Sequence, residues 1–197
     1  MSEADGAGGR DQSAPLSPAF VSTAAQLACL IEATAPKPGN VSPGRHFKDM
    51  RYEHFLVSAT AIGPVMAEAG DRSIGATVLA AVRATARWTR ANTNLGITLL
   101  FAPLARAALA ATSRPLRDQL SAELRAATLQ DARDVYAAIR LVNPGGLGRV
   151  ATQDVSGEPV AALRDVMVLA ADRDAIANEY ATDYSRIFDE GDRKSVV

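Results

Sequence analysis

The sequence predicts an all-α fold, a single-domain multi-helix bundle. Three observations carry this: long segments rich in Ala, Leu, Arg and Glu recur between Pro18 and Phe188, β-branched alternation is nearly absent, and Gly and Pro punctuate the segments. With 197 residues, 48% hydrophobic and 22% charged, the chain is long enough for one domain with a substantial core.

Residues 1–17 contain Gly, Ser, Asp and Glu without an apolar core, which predicts a disordered leader and not a secretory signal. The domain is expected over residues 18–190. Its first helix runs from Pro18 to Thr34, with Phe20, Ala24, Leu27 and Ile31 as an apolar stripe, and carries Glu32 to the mouth of the following loop. A second begins near Arg51 with Phe55, Leu56, Ala59 and Ile62, and Gly63-Pro64 is expected to kink or divide it. A third covers about Ile74 to Thr89. The fourth follows Asn92-Thr93-Asn94, with Asn92 as its N-cap, Leu95, Leu99, Leu100 and Leu104 as apolar residues, and a bend at Pro103. Helices over Leu116–Ala127 and Thr128–Val142 come next. The latter opens on Thr128-Leu129-Gln130-Asp131, a capping box with Asp in the place of Glu. Asn143-Pro144-Gly145-Gly146-Leu147-Gly148 then stops the helix and starts an irregular stretch through Pro159. Two further helices, about Val160–Ala171 and Asp174–Phe188, meet at Asp172-Arg173-Asp174.

A net charge of -1 argues against broad electrostatic capture of nucleic acid or anionic membrane, and leaves local basic patches as anion sites. The longest apolar stretch, Ile97 to Ala111, is broken by Pro103 and Arg106 and is too short to span a bilayer. The single cysteine, Cys29, lies among Leu27, Leu30 and Ile31 as a core residue and cannot form an internal disulfide, which fits a reducing, cytoplasmic setting.

The segment Ala35 to Met50 interrupts the helical pattern with residues that helices reject. Pro36 and Pro38 fix their own φ and remove two backbone donors, while Gly39 and Gly44 permit positive φ. The resulting stiff loop carries Lys37, Arg45, His46 and Lys48, with Glu32 before it and Asp49 within it. Cations suited to phosphate oxygens thus lie beside carboxylates suited to holding a metal or accepting a proton. A decorated connection is the other reading, because the spacing is no established phosphate signature. Neither GxxxxGK[ST] nor GxGxxG occurs. Asn92-Thr93-Asn94 offers amides and a hydroxyl at a helix start, for an anion or for capping. Asp131 and Asp134 share a helical face, either to grip a cation or as a solvated face near Arg133 and Arg140. Asp172-Arg173-Asp174 fits a capped junction with a surface ion pair.

Taken together, Glu32-Ala33-Thr34-Ala35-Pro36-Lys37-Pro38-Gly39-Asn40-Val41, Asp49-Met50, Asn92-Thr93-Asn94-Leu95-Gly96, Gly145-Gly146-Leu147, Asp154-Val155 and Arg173-Asp174 resemble the triphosphoribosyl-dephospho-CoA synthase family over about residues 20 to 190. The resemblance implies an all-α nucleotide-binding transferase that moves the triphosphoribosyl group of ATP to the ribose 2′-hydroxyl of dephospho-CoA and releases adenine. It further implies Glu32 and Asp49 as catalytic carboxylates, base or magnesium ligand, with the two roles not separated. Lys37, Gly39, Asn40, Arg45, Asn92, Thr93, Asn94, Gly96, Gly145, Gly146 and Arg173 become the substrate and phosphate contacts, and Asp131 with Asp134 the support for Mg2+. One departure stands out. Named synthases read Asn-Thr-His-Lys-Gly where this chain reads Asn92-Thr93-Asn94-Leu95-Gly96, so an imidazole and an ammonium are missing. The variant is similar to a branch associated with one-carbon, methanopterin-type cofactor synthesis, and a catalytically inactive nucleotide-binding homologue is the further alternative. Asp192-Arg193-Lys194-Ser195-Val196-Val197 is the translation of a sequencing-library adapter string, so residues 191–197 are expected to be a non-native tail and the bundle to lack its C-terminal helices. The partners expected are the nucleotide and the phosphorylated acceptor, with no nucleic acid or membrane.

Overall fold

The computed structural model describes residues 15–142 and 157–191, and among them it is all-α, with nine α-helices and no strand. The leader, Gly145, Gly146, Asp154 and residues 192–197 lie outside the described residues, apart from the leader's last positions.

The first helix, α1 (Pro18–Thr34), has Pro18 where its missing N–H is no loss, and Ser17 Oγ accepts from the Phe20 N–H at 3.2 Å. A long loop leads to α2 (Tyr52–Ala67), then a short 3-10 turn over Ala69–Asp71 and α3 (Ile74–Ala86), capped by Ser73 Oγ accepting from the Ala76 N–H at 3.3 Å. Next come α4 (Leu95–Leu109), α5 (Leu116–Ala126) and α6 (Leu129–Val142). The box at the start of α6 forms as its sequence predicts: the Thr128 N–H donates to Asp131 Oδ2 at 2.8 Å, and the Asp131 N–H donates to Thr128 Oγ1 at 3.2 Å.

Two apolar clusters hold the bundle together. The first joins α3 to α6 through Val78, Val82, Leu99, Leu120 and Val135 and also takes Tyr180; the second joins α1, α2 and α4 through Val21, Cys29, Ile62, Met66 and Ala105. Two helices serve both clusters: α3 places Val78 and Val82 in the first and Ala81 in the second, and α4 places Leu99 in the first and Ala105 in the second. Glycines set the close approaches. A Cβ on Gly63 would lie 2.4 Å from Gln26 Nε2, and one on Gly75 would lie 2.4 Å from the Asp131 carbonyl oxygen.

The apolar stripe expected on α1 does not face the core. Phe20, Leu27 and Ile31 are 51%, 51% and 68% exposed, whereas Val21, Ala25, Cys29 and Ala33 are buried. Contact with α2 at Gly63 is too close for large side chains, so the smaller residues take the inside.

Neither internal proline divides its helix. Pro64 leaves the Thr60 carbonyl without its helical donor, and Gln26 Nε2 donates to that oxygen at 3.0 Å. Pro103 does the same to the Leu99 carbonyl, which accepts from Tyr180 Oη at 2.7 Å. Beyond the 157–162 segment, α7 (Leu163–Val168) is shorter than expected. The single helix expected from Asp174 is instead two, α8 (Ala175–Ala181) and α9 (Ser185–Gly191). The break falls at Asp183 and Tyr184, whose φ values of 52° and 60° end helical geometry. Ser121 Oγ at 2.6 Å and Arg164 Nη2 at 3.1 Å donate to the Asp183 carboxylate, and Tyr184 is fully buried, which together offset the strain of that turn.

Candidate active site

The loop from Ala35 to Arg51 is built from three tight turns. In Lys37-Pro38-Gly39-Asn40, the Asn40 N–H donates to the Lys37 carbonyl at 3.2 Å and Gly39 has φ 77°. In Ser42-Pro43-Gly44-Arg45, the Arg45 N–H donates to the Ser42 carbonyl at 2.8 Å and Gly44 also has φ 77°. Proline second and positive φ third is the type II pattern. A Cβ on either glycine would meet nothing within 4 Å, so conformation and not space demands glycine there. The third turn exchanges bonds between Phe47 and Met50 and leaves Lys48 and Asp49 exposed at its tip. Buried Val41 and Ser42 anchor the loop, while Arg45 and His46 stay exposed.

Where α1 runs into this loop, Lys37 Nζ lies 2.6 Å from Glu32 Oε1, with side chains 43% and 36% exposed. Pairs this open to water contribute about 0–1 kcal/mol to stability, so folding gives little reason for the pair. Thr34 Oγ1 and Tyr52 Oη, 2.9 Å apart, close the stems of the loop. Among the described residues no hydrogen bond or ion pair joins Asp49 to the Glu32–Lys37 pair. Cys29, one turn below Glu32, is buried, and burial first and the Glu32 charge second push its thiol up to about 11. It is a core residue and not a nucleophile at neutral pH.

The Asn92-Thr93-Asn94 segment reaches the same end of the bundle. Ser58 Oγ donates its only proton to the His54 carbonyl at 2.6 Å, so in the short Ser58–Thr93 contact Thr93 is the donor. Asn94 Nδ2 donates to Thr85 Oγ1 at 3.0 Å. Both side chains are therefore turned inward, tying the start of α4 to α2 and α3, and Leu95 joins the core. Asn92 stays half-buried, its Oδ1 accepting from the Leu95 N–H at 3.4 Å as a weak cap. Gly96 abuts Ile176 on α8, where a Cβ would lie 2.9 Å from Ile176 Cδ1. That contact brings the Arg173-Asp174 junction beside the start of α4. Arg173 is exposed, and Asp174 caps α8 by accepting from the Ala177 N–H at 2.8 Å.

Asp131 and Asp134 do not form the metal pair expected of them. Asp131 is 3% exposed; its Oδ1 accepts from the Gly75 N–H at 2.8 Å and its Oδ2 from both the N–H and the hydroxyl of Thr128 at 2.8 Å. Burial by itself would raise this carboxyl, but the bonds from Ser73, Thr128 and Gly75 outweigh it and hold it below its ordinary range. Asp134 instead accepts from Gln130 Nε2 at 3.1 Å. The Gly75 contact also puts Asp131 about 15 Å along α3 from the Thr85–Asn94 bond, at 1.5 Å per residue. Among the described residues no group of three or more His, Cys, Asp or Glu side chains converges as a metal cage. Tyr52, Ser58 and Thr85, which frame the cluster, carry no sequence signal beyond being polar groups within helical segments.

The described residues form an all-α bundle with this proline loop and polar helix start, and comparison with known families places it. The family model described as CitG, ATP:dephospho-CoA triphosphoribosyl transferase, matches residues 18–194, and the chain belongs to that family. No curated protein and no solved structure matches it. Among the described residues no helix is long and apolar enough to cross a membrane.

Proposed function

We propose that the chain is a pentosyltransferase whose reaction is centred on the Glu32–Lys37 end of the bundle, where the triphosphoribosyl group of ATP passes to the 2′-hydroxyl of dephospho-CoA. The observation that carries this is the 2.6 Å Glu32–Lys37 pair, a solvent-accessible acid and cation at the junction of a helix and a rigid loop. In the transfer, the acceptor hydroxyl oxygen bonds to C1′ of the ribose as the C1′–N9 bond breaks. The bonding electrons leave with adenine, which gains a proton, and the hydroxyl proton passes to the base. Glu32 is that base, and Lys37 orients its carboxylate and meets phosphate oxygens. The Gly39 N–H and the Asn40 side chain, with Arg45, hold the triphosphate, while Asn92 and Arg173 sit at the acceptor side.

Mg2+ fits as a companion of the triphosphate and not as the resident of a protein cage, since such ions are commonly held by one or two carboxylates plus substrate phosphates. Asp49, exposed beside Lys48, is the carboxylate we assign to it. The ion supplies neutralisation of phosphate charge. Because Asn94 and Leu95 are packed inward, the loop cations replace the charge that the resembling His-Lys pair would bring.

The test is incubation with ATP, Mg2+ and dephospho-CoA, following free adenine. Glu32→Ala and Asp49→Ala should each abolish release while circular dichroism stays unchanged; adenine release retained in both ends the assignment.

A further inference from the structure

Two depressions on the bundle surface share Val65, Ala84 and Arg87, and so are the two ends of one groove along α3. The first, of about 630 Å³, is lined by Val57, Pro64 and Trp88 among others. The second, of about 380 Å³, runs over Ala76 and Ala80 and is walled by Arg72 and Arg83, with Asp134 at its far rim. Both volumes lie within the roughly 300–1,000 Å³ of small-molecule sites. From Ala76 to Trp88 the groove extends about 18 Å at the helical rise.

Its chemistry is divided along its length. Trp88, the only tryptophan of the chain, is 73% exposed at the end of α3 that adjoins Asn92. A ring this open offers a stacking face. Arg83 and Arg87 lie within about one and a half turns of it, exposed and without an ion-pair partner among the described residues. Arg72 is held by Glu68 through one amine and accepts from Arg106 at its carbonyl, yet its Nη1 is buried without a hydrogen-bond partner. Beside these guanidiniums the floor is alanine, which leaves room for ligand atoms.

An aromatic face followed by paired guanidiniums, then a narrow small-residue trough, matches a ligand that presents a base, a diphosphate and a long neutral arm in that order. We propose that this groove holds the acceptor, with the adenine of dephospho-CoA on Trp88, its diphosphate against Arg83 and Arg87, and its pantetheine arm over Ala80 and Ala76. The assignment rests on the acceptor reading above. It places the ribose hydroxyl at the Trp88 end, toward Asn92, and leaves the ATP triphosphate to the proline loop.

Trp88 fluorescence in the full chain reads occupancy directly, with neither ATP nor Mg2+ present. Titration with dephospho-CoA should quench it, and Arg83→Gln with Arg87→Gln should raise the Kd about tenfold or more, as expected for lost charge-assisted bonds to phosphate. The same pair should raise the KM for dephospho-CoA and not that for ATP, whereas Lys37→Gln should retain the quenching. An unchanged signal at dephospho-CoA concentrations that support adenine release, or a KM effect confined to ATP, overturns the groove assignment and leaves the reaction standing. Quenching that depends on the arginines in a chain that releases no adenine supports the groove and defeats the reaction.

Discussion

At the Gly75 end of α3, Asp131 is buried with both oxygens committed to donors from α3 and from its own cap. Toward the Thr85 end, Asn94 bonds to Thr85 and Thr93 to Ser58, while at the mouth of the proline loop Glu32 is part exposed and meets one lysine, Lys37. Both residues are carboxylates on helices. What separates them is spare capacity: Asp131 has spent its lone pairs on folding, whereas Glu32 keeps acceptor sites open to a ligand. A reactive carboxylate needs those open sites, so the difference sorts structural from chemical roles.

The sharpest way to break that contrast is to remove each carboxylate and read turnover and stability together. For Glu32→Ala, adenine release should fall by about 10²–10⁴-fold, the usual contribution of a positioned base. Its urea midpoint should move little, since an exposed pair stabilises by about 0–1 kcal/mol. A large shift in that midpoint would make Glu32 a structural residue after all.

For Asp131→Ala the balance reverses. The donors from Gly75, Thr128 and Ser73 would be orphaned in a buried junction, each at about 1–3 kcal/mol if left unpaired, so a loss of about 3 kcal/mol or more is expected by urea unfolding. Turnover per folded molecule should be retained. If Mg2+ stabilised wild type and not Asp131→Asn, the metal role would return.

Acid titration sharpens the same comparison. The Asp131 carboxyl is lowered from 3.8, so its contribution is fully present above that value and is lost as pH falls through the lower folded value. The fall in wild-type stability below about pH 4 should therefore flatten in Asp131→Asn, measured as the urea midpoint against pH. An equal slope in both would place the acid sensitivity elsewhere.

Much of the fold is legible because its causes are local. Ser17 and Pro18 start α1, the Thr128–Asp131 box starts α6, and Pro-Gly pairs shape the loop turns at Gly39 and Gly44. What sequence could not show depends on distant partners. The choice of the Val21–Ala33 face of α1 follows from how closely Gly63 of α2 approaches, and the role of Asp131 follows from Gly75, far away in the chain. The site divides the same way: the Glu32–Lys37 pair spans five residues and is readable, whereas the inward turn of Thr93 and Asn94 is set by Ser58 and Thr85.

The prolines give the smallest effect and extend the contrast to neutral groups. Sequence alone predicts a break at Pro64, because it shows the lost donor but not the replacement. Gln26 supplies one at the Thr60 carbonyl on the α1–α2 side, close to the site; Tyr180 supplies the other at the Leu99 carbonyl in the larger core. Tyr180 is fully buried, and burial first drives its hydroxyl far above its usual titration range, so it remains a neutral donor. Tyr180→Phe keeps the ring and leaves the Leu99 oxygen dry and unpaired, which should cost about 1–3 kcal/mol. Gln26→Ala leaves the Thr60 oxygen on an exposed stretch of α2 where water can replace the amide, so about 1 kcal/mol or less is expected. The two urea midpoints should rank in that order, and a larger loss in Gln26→Ala would show that the α1–α2 contact, and not the dry core, decides whether a helix survives its proline.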